Sequence, residues 1–330
     1  MREAMYYQPQ AAGVAACGLC PKGCMIGEGG AGFCRVRKNT GGKLFTENYG
    51  QVSSYALDPI EKKPLYHFYP GSYILSLGTW GCNFSCRFCQ NWQISQTSPH
   101  TLELLPEAAV RLAREQGEKN IGLAFTYSEP TVWYEYILDT AQACRRQGLK
   151  TVLVTNGYIN PEPLDKLLPY IDAMNIDVKA FNPEFYRQIC AGSLADVKQT
   201  VERAAGRCHV EITTLLIPGL NDGAGELKKL AQWLSGIDPA IPLHFSRYFP
   251  NYRLDVPPTP LDTMEQAREV AGRFLSYVYL GNVGLQAGNT YCPDCGCLVI
   301  DRTRRQSLLT GDKKCPQCGS LSAITGEIRY

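Results

Sequence analysis

Fifteen cysteines in a chain of 330 residues constrain this sequence more than any other feature. Most fall into three groups: Cys17, Cys20, Cys24 and Cys34; Cys82, Cys86 and Cys89; and Cys292, Cys295, Cys297, Cys315 and Cys318. A secreted disulfide scaffold is short, and this chain is long. Clustered cysteines in a long chain point to metal binding or redox chemistry. Cys144, Cys190 and Cys208 stand alone and read as small buried hydrophobes.

Other function classes recede on composition. The formal net charge is +2 with a pI near 7.8, so no basic field draws in nucleic acid. No apolar run is long enough to span a bilayer, and Met1–Gln10 lacks the order of a signal peptide. The chain is expected to be cytoplasmic. A hydrophobic fraction of 45% supports one large core with small attachments.

The middle of the chain alternates strand-like and helix-like segments. Strand candidates are Tyr73–Thr79, Ile121–Tyr127, Lys150–Thr155, Ala173–Val178, Val210–Ile217, Pro242–Tyr248 and Tyr277–Asn282. They are short, apolar runs of the kind buried on both faces of a parallel sheet. Helical patterns cover Leu105–Gln116, Thr131–Gln147, Ser193–Ala205, Glu226–Ser235 and Leu261–Leu275, several stopped by a glycine. The alternation predicts an α/β fold: a partial, roughly six-stranded parallel β/α barrel. The expected domains are a Cys-rich N-terminal metal-binding segment over 1–50, the barrel over 51–287 and a zinc-ribbon-like module over 288–330.

The central cysteines lie in Gly81-Cys82-Asn83-Phe84-Ser85-Cys86-Arg87-Phe88-Cys89, directly after the first strand. Three thiolates can hold three irons of a [4Fe–4S] cubane and leave the fourth open to a ligand. The alternatives are zinc with a fourth ligand elsewhere, or structural cysteines.

The C-x3-C-x2-C loop, with Phe88 before its third cysteine, resembles the signature of the radical S-adenosylmethionine (SAM) superfamily. The resemblance implies that the open iron binds the SAM amino and carboxylate groups. It also implies reductive cleavage of SAM to a 5′-deoxyadenosyl radical, with Phe88 near the adenine.

In α/β barrels chemistry collects at the C-terminal ends of the strands, and polar groups recur there. They are Thr126-Tyr127-Ser128-Glu129-Pro130, Thr155-Asn156-Gly157, Asp177-Val178-Lys179, Glu211–Thr214, and His244 with Ser246 and Arg247. Each has an ordinary alternative. Ser128 and Glu129 suit a helix cap, Thr155-Asn156-Gly157 a turn, Asp177 and Lys179 an ion pair, and His244 a core position.

Phe125–Pro130 resembles the superfamily's Gly-Gly-Glu-Pro segment, with Tyr127 and Ser128 where glycines stand; by resemblance Ser128 and Glu129 flank the SAM amino group. Asp177-Val178-Lys179 and Thr155-Asn156-Gly157 resemble motifs of glycyl-radical-enzyme activases. These imply roles for Thr155 and Asn156 in cofactor binding and for Asp177, Lys179 and His244 in SAM binding and catalysis. A monovalent cation beside Asp177 is also implied.

Further motifs extend the likeness along nearly the whole chain: Cys17-x2-Cys20-x3-Cys24, Gly32–Arg37, Ile217–Asp222, His244–Pro250 and Tyr291-Cys292-Pro293-x-Cys295. In this order they resemble the AmmeMemoRadiSam radical SAM proteins, relatives of the pyruvate formate-lyase activating enzyme. Implied partners are Memo-like and AMMECR-like proteins and an electron donor such as flavodoxin or ferredoxin. The substrate, small molecule or protein, is left unnamed.

The tail pairs Cys292-x2-Cys295 with Cys315-x2-Cys318, two knuckles suited to one structural zinc. Cys297 is surplus. Cys17, Cys20, Cys24 and Cys34 can close a site around zinc or an auxiliary cluster. Zinc is favoured slightly because the glycine-rich segment looks dependent on a metal for its fold. The expected function is a radical SAM enzyme. The alternatives are a glycyl-radical-enzyme activase and, in another class, a non-enzymatic electron-transfer or interaction module.

Overall fold

The computed structural model describes residues 1–330, the side chains of Leu285 and Gln286 apart. Eight strands form its central sheet: β1 (Ser54–Pro59), β2 (Tyr73–Gly78), β3 (Asn120–Phe125), β4 (Lys150–Thr155), β5 (Ala173–Asp177), β6 (His209–Leu216), β7 (Leu243–Arg247) and β8 (Val278–Gly281). They lie side by side in chain order. β2 to β8 run parallel, and β1 pairs antiparallel with β2.

Helices α1 (Pro106–Glu115), α2 (Tyr134–Arg146), α3 (Pro161–Leu167), α4 (Leu194–Ala204), α5 (Ala224–Ile237) and α6 (Leu261–Gly272) cross between the parallel strands. Each buries an apolar stripe on the sheet. In α5 the stripe is Leu227, Leu230, Ala231 and Leu234, the spacing of one helical face. β3 is buried along its whole length, as a strand covered on both sides must be.

The sheet departs from the roughly six-stranded expectation in having seven parallel strands and an antiparallel edge. β1 escapes a search for apolar runs because alternate residues face water, Tyr55 and Leu57 among them. It ends in Pro59, a residue suited to an edge. α3 is short and carries Pro161 and Pro163, both in its first turn, where proline removes no intrahelical hydrogen bond.

The N-terminal segment is more regular than its sequence suggests. It forms two small antiparallel sheets, one from Tyr7–Pro9, Ala15–Cys17 and Met25–Ile26 and one from Arg2–Glu3, Lys43–Thr46 and Arg37–Thr40. Gly41 and Gly42, at φ +64° and +78°, make the two-residue turn of the Arg37–Thr46 hairpin, a turn that needs positive φ twice.

The segment is anchored to the barrel by a buried ion pair, Arg37 with Glu135 of α2. Glu135 also accepts from the Met5 amide at 2.7 Å. The tail forms its own small sheet of Thr290–Tyr291, Leu298–Asp301 and Gln306–Ser307. It is strapped back onto the barrel: Tyr69 N donates to Thr325 O at 2.8 Å, and the Tyr330 hydroxyl donates to Glu61 at 2.8 Å.

Removing one partner of a buried ion pair strands the other charge, at a cost of about 3–5 kcal/mol. Arg37→Ala is therefore expected to lower the urea midpoint of unfolding by a corresponding amount. An unchanged midpoint contradicts the anchoring role.

Candidate functional site

The cysteine loop leaves β2 with almost no regular structure of its own, so other elements hold it. Ser85 N and Arg87 N donate to Cys190 O and Ile189 O, each at 3.0 Å, and Arg87 O accepts from Arg253 N at 2.8 Å. Gly81 N donates to Ile94 O at 2.9 Å. Cys82, Cys86 and Cys89 are thereby turned into one cavity of about 370 Å³ at the C-terminal ends of the strands. Burial pushes the thiols of Cys82 and Cys89 up, so metal must displace their protons on binding.

Phe88, Ser128, Glu129, Asn156, Asp177 and Lys179 line the same cavity. Phe88 is buried and packs against Phe185 with ring centres 6.0 Å apart. Glu129 accepts from Thr131 N at 2.9 Å, from the Thr155 hydroxyl at 2.6 Å and from Asn156 N at 2.8 Å. Burial raises its carboxyl, and these donors partly offset that. Thr155 thus stands one layer behind the cavity. The Asn156 amide donates to Asn83 Oδ1 at 2.9 Å and approaches Cys82 Sγ at 3.8 Å.

Lys179 and Asp177 pair at 2.7 Å. Burial pulls the Lys179 amine down, but Asp177 and the thiol of Cys86 outweigh it and hold the amine above its ordinary value.

Tyr127 replaces a glycine of the resembling motif without losing the glycine's backbone shape, for its φ is +68°. Gly78 makes room: a Cβ there would come within 2.9 Å of the Tyr127 ring. The Tyr127 hydroxyl donates to Asp58 at 2.7 Å, and Lys63 pairs with Asp58 at 2.8 Å. Burial pushes the Asp58 carboxyl up, but these two partners prevail and hold it at about 2. Sequence reasoning missed Asp58 and Lys63, which lie outside the strand-end pattern and carry no motif.

His244 is placed differently from Asp177. Its Nε2 donates to the Glu211 carboxylate at 2.6 Å, and its ring stacks on Tyr279 with ring centres 5.1 Å apart. It lines a neighbouring cavity of about 670 Å³, together with Tyr66, Arg302 and Tyr330. Lys62, Thr213 and Ser246 line both cavities, so the two adjoin.

Glu211 also accepts from Tyr66 N at 3.0 Å and His67 N at 2.7 Å. Burial alone would raise its carboxyl; His209 and His244 hold it well below the carboxylate range instead. It was legible as a charge in an apolar strand, the usual mark of a paired buried group.

The residues present fit the groups the motif implies. The cavity offers three thiols, with neither a fourth cysteine nor a histidine among its lining residues. That donor set leaves one iron of a cubane open. Beside it stand an apolar ring, a carboxylate and an ammonium, which match the adenine, amino and carboxylate groups of SAM.

In the tail, the Sγ atoms of Cys292 and Cys318 are 3.6 Å apart and those of Cys295 and Cys315 3.5 Å. All four lie within 4.8 Å of one another. The N-terminal thiols Cys17, Cys20, Cys24 and Cys34 line a separate small cavity.

The family model described as "Radical SAM superfamily" matches residues 77–234. An uncharacterized protein of Methanocaldococcus jannaschii is 45% identical, over 97% of this chain and 98% of its own length. The pyruvate formate-lyase 1-activating enzyme of Escherichia coli is 23% identical, over 59% of this chain and 86% of its own. Among solved structures, a radical SAM methyltransferase from Sphaerobacter thermophilus superposes with a TM-score of 0.50 at 17% identity, covering 70% of this chain and 71% of its own; it supports the fold alone. The family model runs from the end of β2 into α5 with the three-cysteine loop at its head, so residues 77–234 of this chain form a radical SAM domain.

Proposed function

We propose that this protein is a radical SAM enzyme that binds a [4Fe–4S] cluster through Cys82, Cys86 and Cys89 and SAM at the adjoining residues. The observation that carries the reading is the convergence of three thiols, Phe88, Asp177 and Lys179 on one cavity. When bound, the cluster and SAM supply reductive cleavage of SAM to methionine and a 5′-deoxyadenosyl radical.

The chain's own residues bind, orient and exclude water. Phe88 offers a face for the adenine. Lys179 and Asp177 present opposed charges to the carboxylate and amino groups, and Asp177 is the residue that would hold a monovalent cation. Glu129 and Thr155 fix the backbone at Asn156, whose amide reaches Cys82. His244 acts through Glu211 as a positioning residue. The adjoining cavity gives the substrate its place, with Arg302 and Tyr330 of the tail along its wall.

The order of motifs from Cys17 to Cys295 supports placement in the AmmeMemoRadiSam branch, with Memo-like and AMMECR-like partners, a flavodoxin or ferredoxin as donor, and a cytoplasmic setting that keeps its thiols reduced. The second reading is a glycyl-radical-enzyme activase, favoured by the similarity to the Escherichia coli activating enzyme. A glycine radical formed on a candidate partner would select it. The tail knuckles are assigned one zinc, since the edge of a tetrahedral ZnS4 site is roughly 3.8 Å from Zn–S bonds of about 2.3 Å.

Three outcomes test this reading. Anaerobic reconstitution with SAM and dithionite is expected to yield 5′-deoxyadenosine from the parent and none from Cys82→Ala, Cys86→Ala or Cys89→Ala; product from these variants contradicts the cluster assignment. Asp177→Ala removes a charge-assisted contact of about 1.5–3 kcal/mol, so SAM affinity is expected to fall roughly ten- to a hundredfold while iron content is kept. Calorimetric titration reads this, and His244→Ala is expected to change affinity less; equal binding by Asp177→Ala and the parent moves the SAM pocket elsewhere. Metal analysis of a Cys315→Ala/Cys318→Ala double variant is expected to show zinc lost and iron retained, and retained zinc rules out the tail site.

A further inference from the structure

The three cysteine groups of this chain do not share one geometry. Among the described residues, the tail thiols are the ones that gather within 4.8 Å of one another, as ligands of a single tetrahedral ion must. Cys82, Cys86 and Cys89 do not close up in this way, and a cubane asks them not to, because each thiolate serves a different iron. Cys17, Cys20, Cys24 and Cys34 follow the second pattern: all four line one cavity, yet no three of their sulfurs gather within that distance.

The cavity they line measures about 20 Å³.

The surroundings suit an anionic group with sulfur acceptors. The buried guanidinium of Arg37 reaches to 3.9 Å from Cys17 Sγ, and Phe33 N donates to Cys24 Sγ at 3.4 Å. Lys22 lines the cavity as well.

The cavity also abuts the SAM site. Its wall includes Asn83, whose neighbour Cys82 faces the central cavity. Gly81 presses its backbone against the N-terminal segment: a Cβ there would come within 2.7 Å of Cys34 O and 2.6 Å of Val36.

We propose that Cys17, Cys20, Cys24 and Cys34 hold a second, fully protein-ligated [4Fe–4S] cluster, set back to back with the SAM site across Asn83. With every iron ligated, this cluster has no open position for a substrate, and its chemistry is one-electron transfer. One electron leaves the reduced second cluster and enters the oxidised first, and a flavodoxin- or ferredoxin-class donor returns it. The metal assignment stands without the proposed SAM chemistry; the electron-transfer use rests on it.

The test is the full chain carrying Cys82→Ala, Cys86→Ala and Cys89→Ala together, which deletes the central site and leaves the N-terminal one intact. After anaerobic loading with iron and sulfide it is expected to keep about four irons and four sulfides per chain. Its dithionite-reduced paramagnetic resonance signal is expected not to respond to SAM. A variant that holds no iron but two zinc ions overturns the proposal. Cys20→Ala/Cys24→Ala in the otherwise native chain is the complement: it is expected to lose about half of the parent's iron, and a full iron complement overturns the assignment equally.

Discussion

The site depends on one buried carboxylate. Glu129 accepts hydrogen bonds from Thr131 N at the start of the segment leading into α2 and from Thr155 and Asn156 at the end of β4. Through the Asn156 amide the same network reaches Asn83 and Cys82. Two strand ends and the cysteine loop are thus referred to a single group. A carboxylate at this depth is tolerable because several donors meet it. Without it, Asn156 N would lose its acceptor and the loop one of its ties to the barrel.

A second buried carboxylate does comparable work one cavity away. Glu211 binds the Tyr66 and His67 amides and both His209 and His244. It holds the segment between β1 and β2 against the inner face of β6. Arg302 of the tail donates to Tyr66 O at 2.6 Å, so the tail is referred to the same anchor. The region that would carry specificity is therefore built from the irregular segment after β1 and from the tail, on the rigid frame of the parallel strands.

Much of this was legible in the sequence. The strand and helix boundaries fall close to their expected places because buried parallel strands are apolar runs and their helices are amphipathic. The strand-end motifs were legible too: Glu129 caps the next segment, as its ordinary reading expects, and also accepts from Thr155 and Asn156 at the end of β4. Asp177 and Lys179 do form the ion pair that spacing allows, and still face the cavity. What the sequence hid was partnership across long separations. Asp58 with Tyr127, Arg37 with Glu135, and Glu211 with the backbone at 66–67 join segments that no local pattern connects. His244 is picked out by its strand-end position as well as by likeness, and its nearest polar partner is Glu211. β1 and the N-terminal sheets were obscured because their strands are short and polar residues interrupt them, which gives weak signals next to continuous apolar runs.

The proposed chemistry requires SAM at the open iron of the cluster held by Cys82, Cys86 and Cys89. Electron–nuclear double resonance on the dithionite-reduced protein, with SAM carrying a nitrogen-15 label at its amino group, reads that contact directly. A hyperfine coupling from the labelled nitrogen is expected in the parent and is expected to vanish after Cys86→Ala. A reduced, SAM-saturated protein with no such coupling would contradict it.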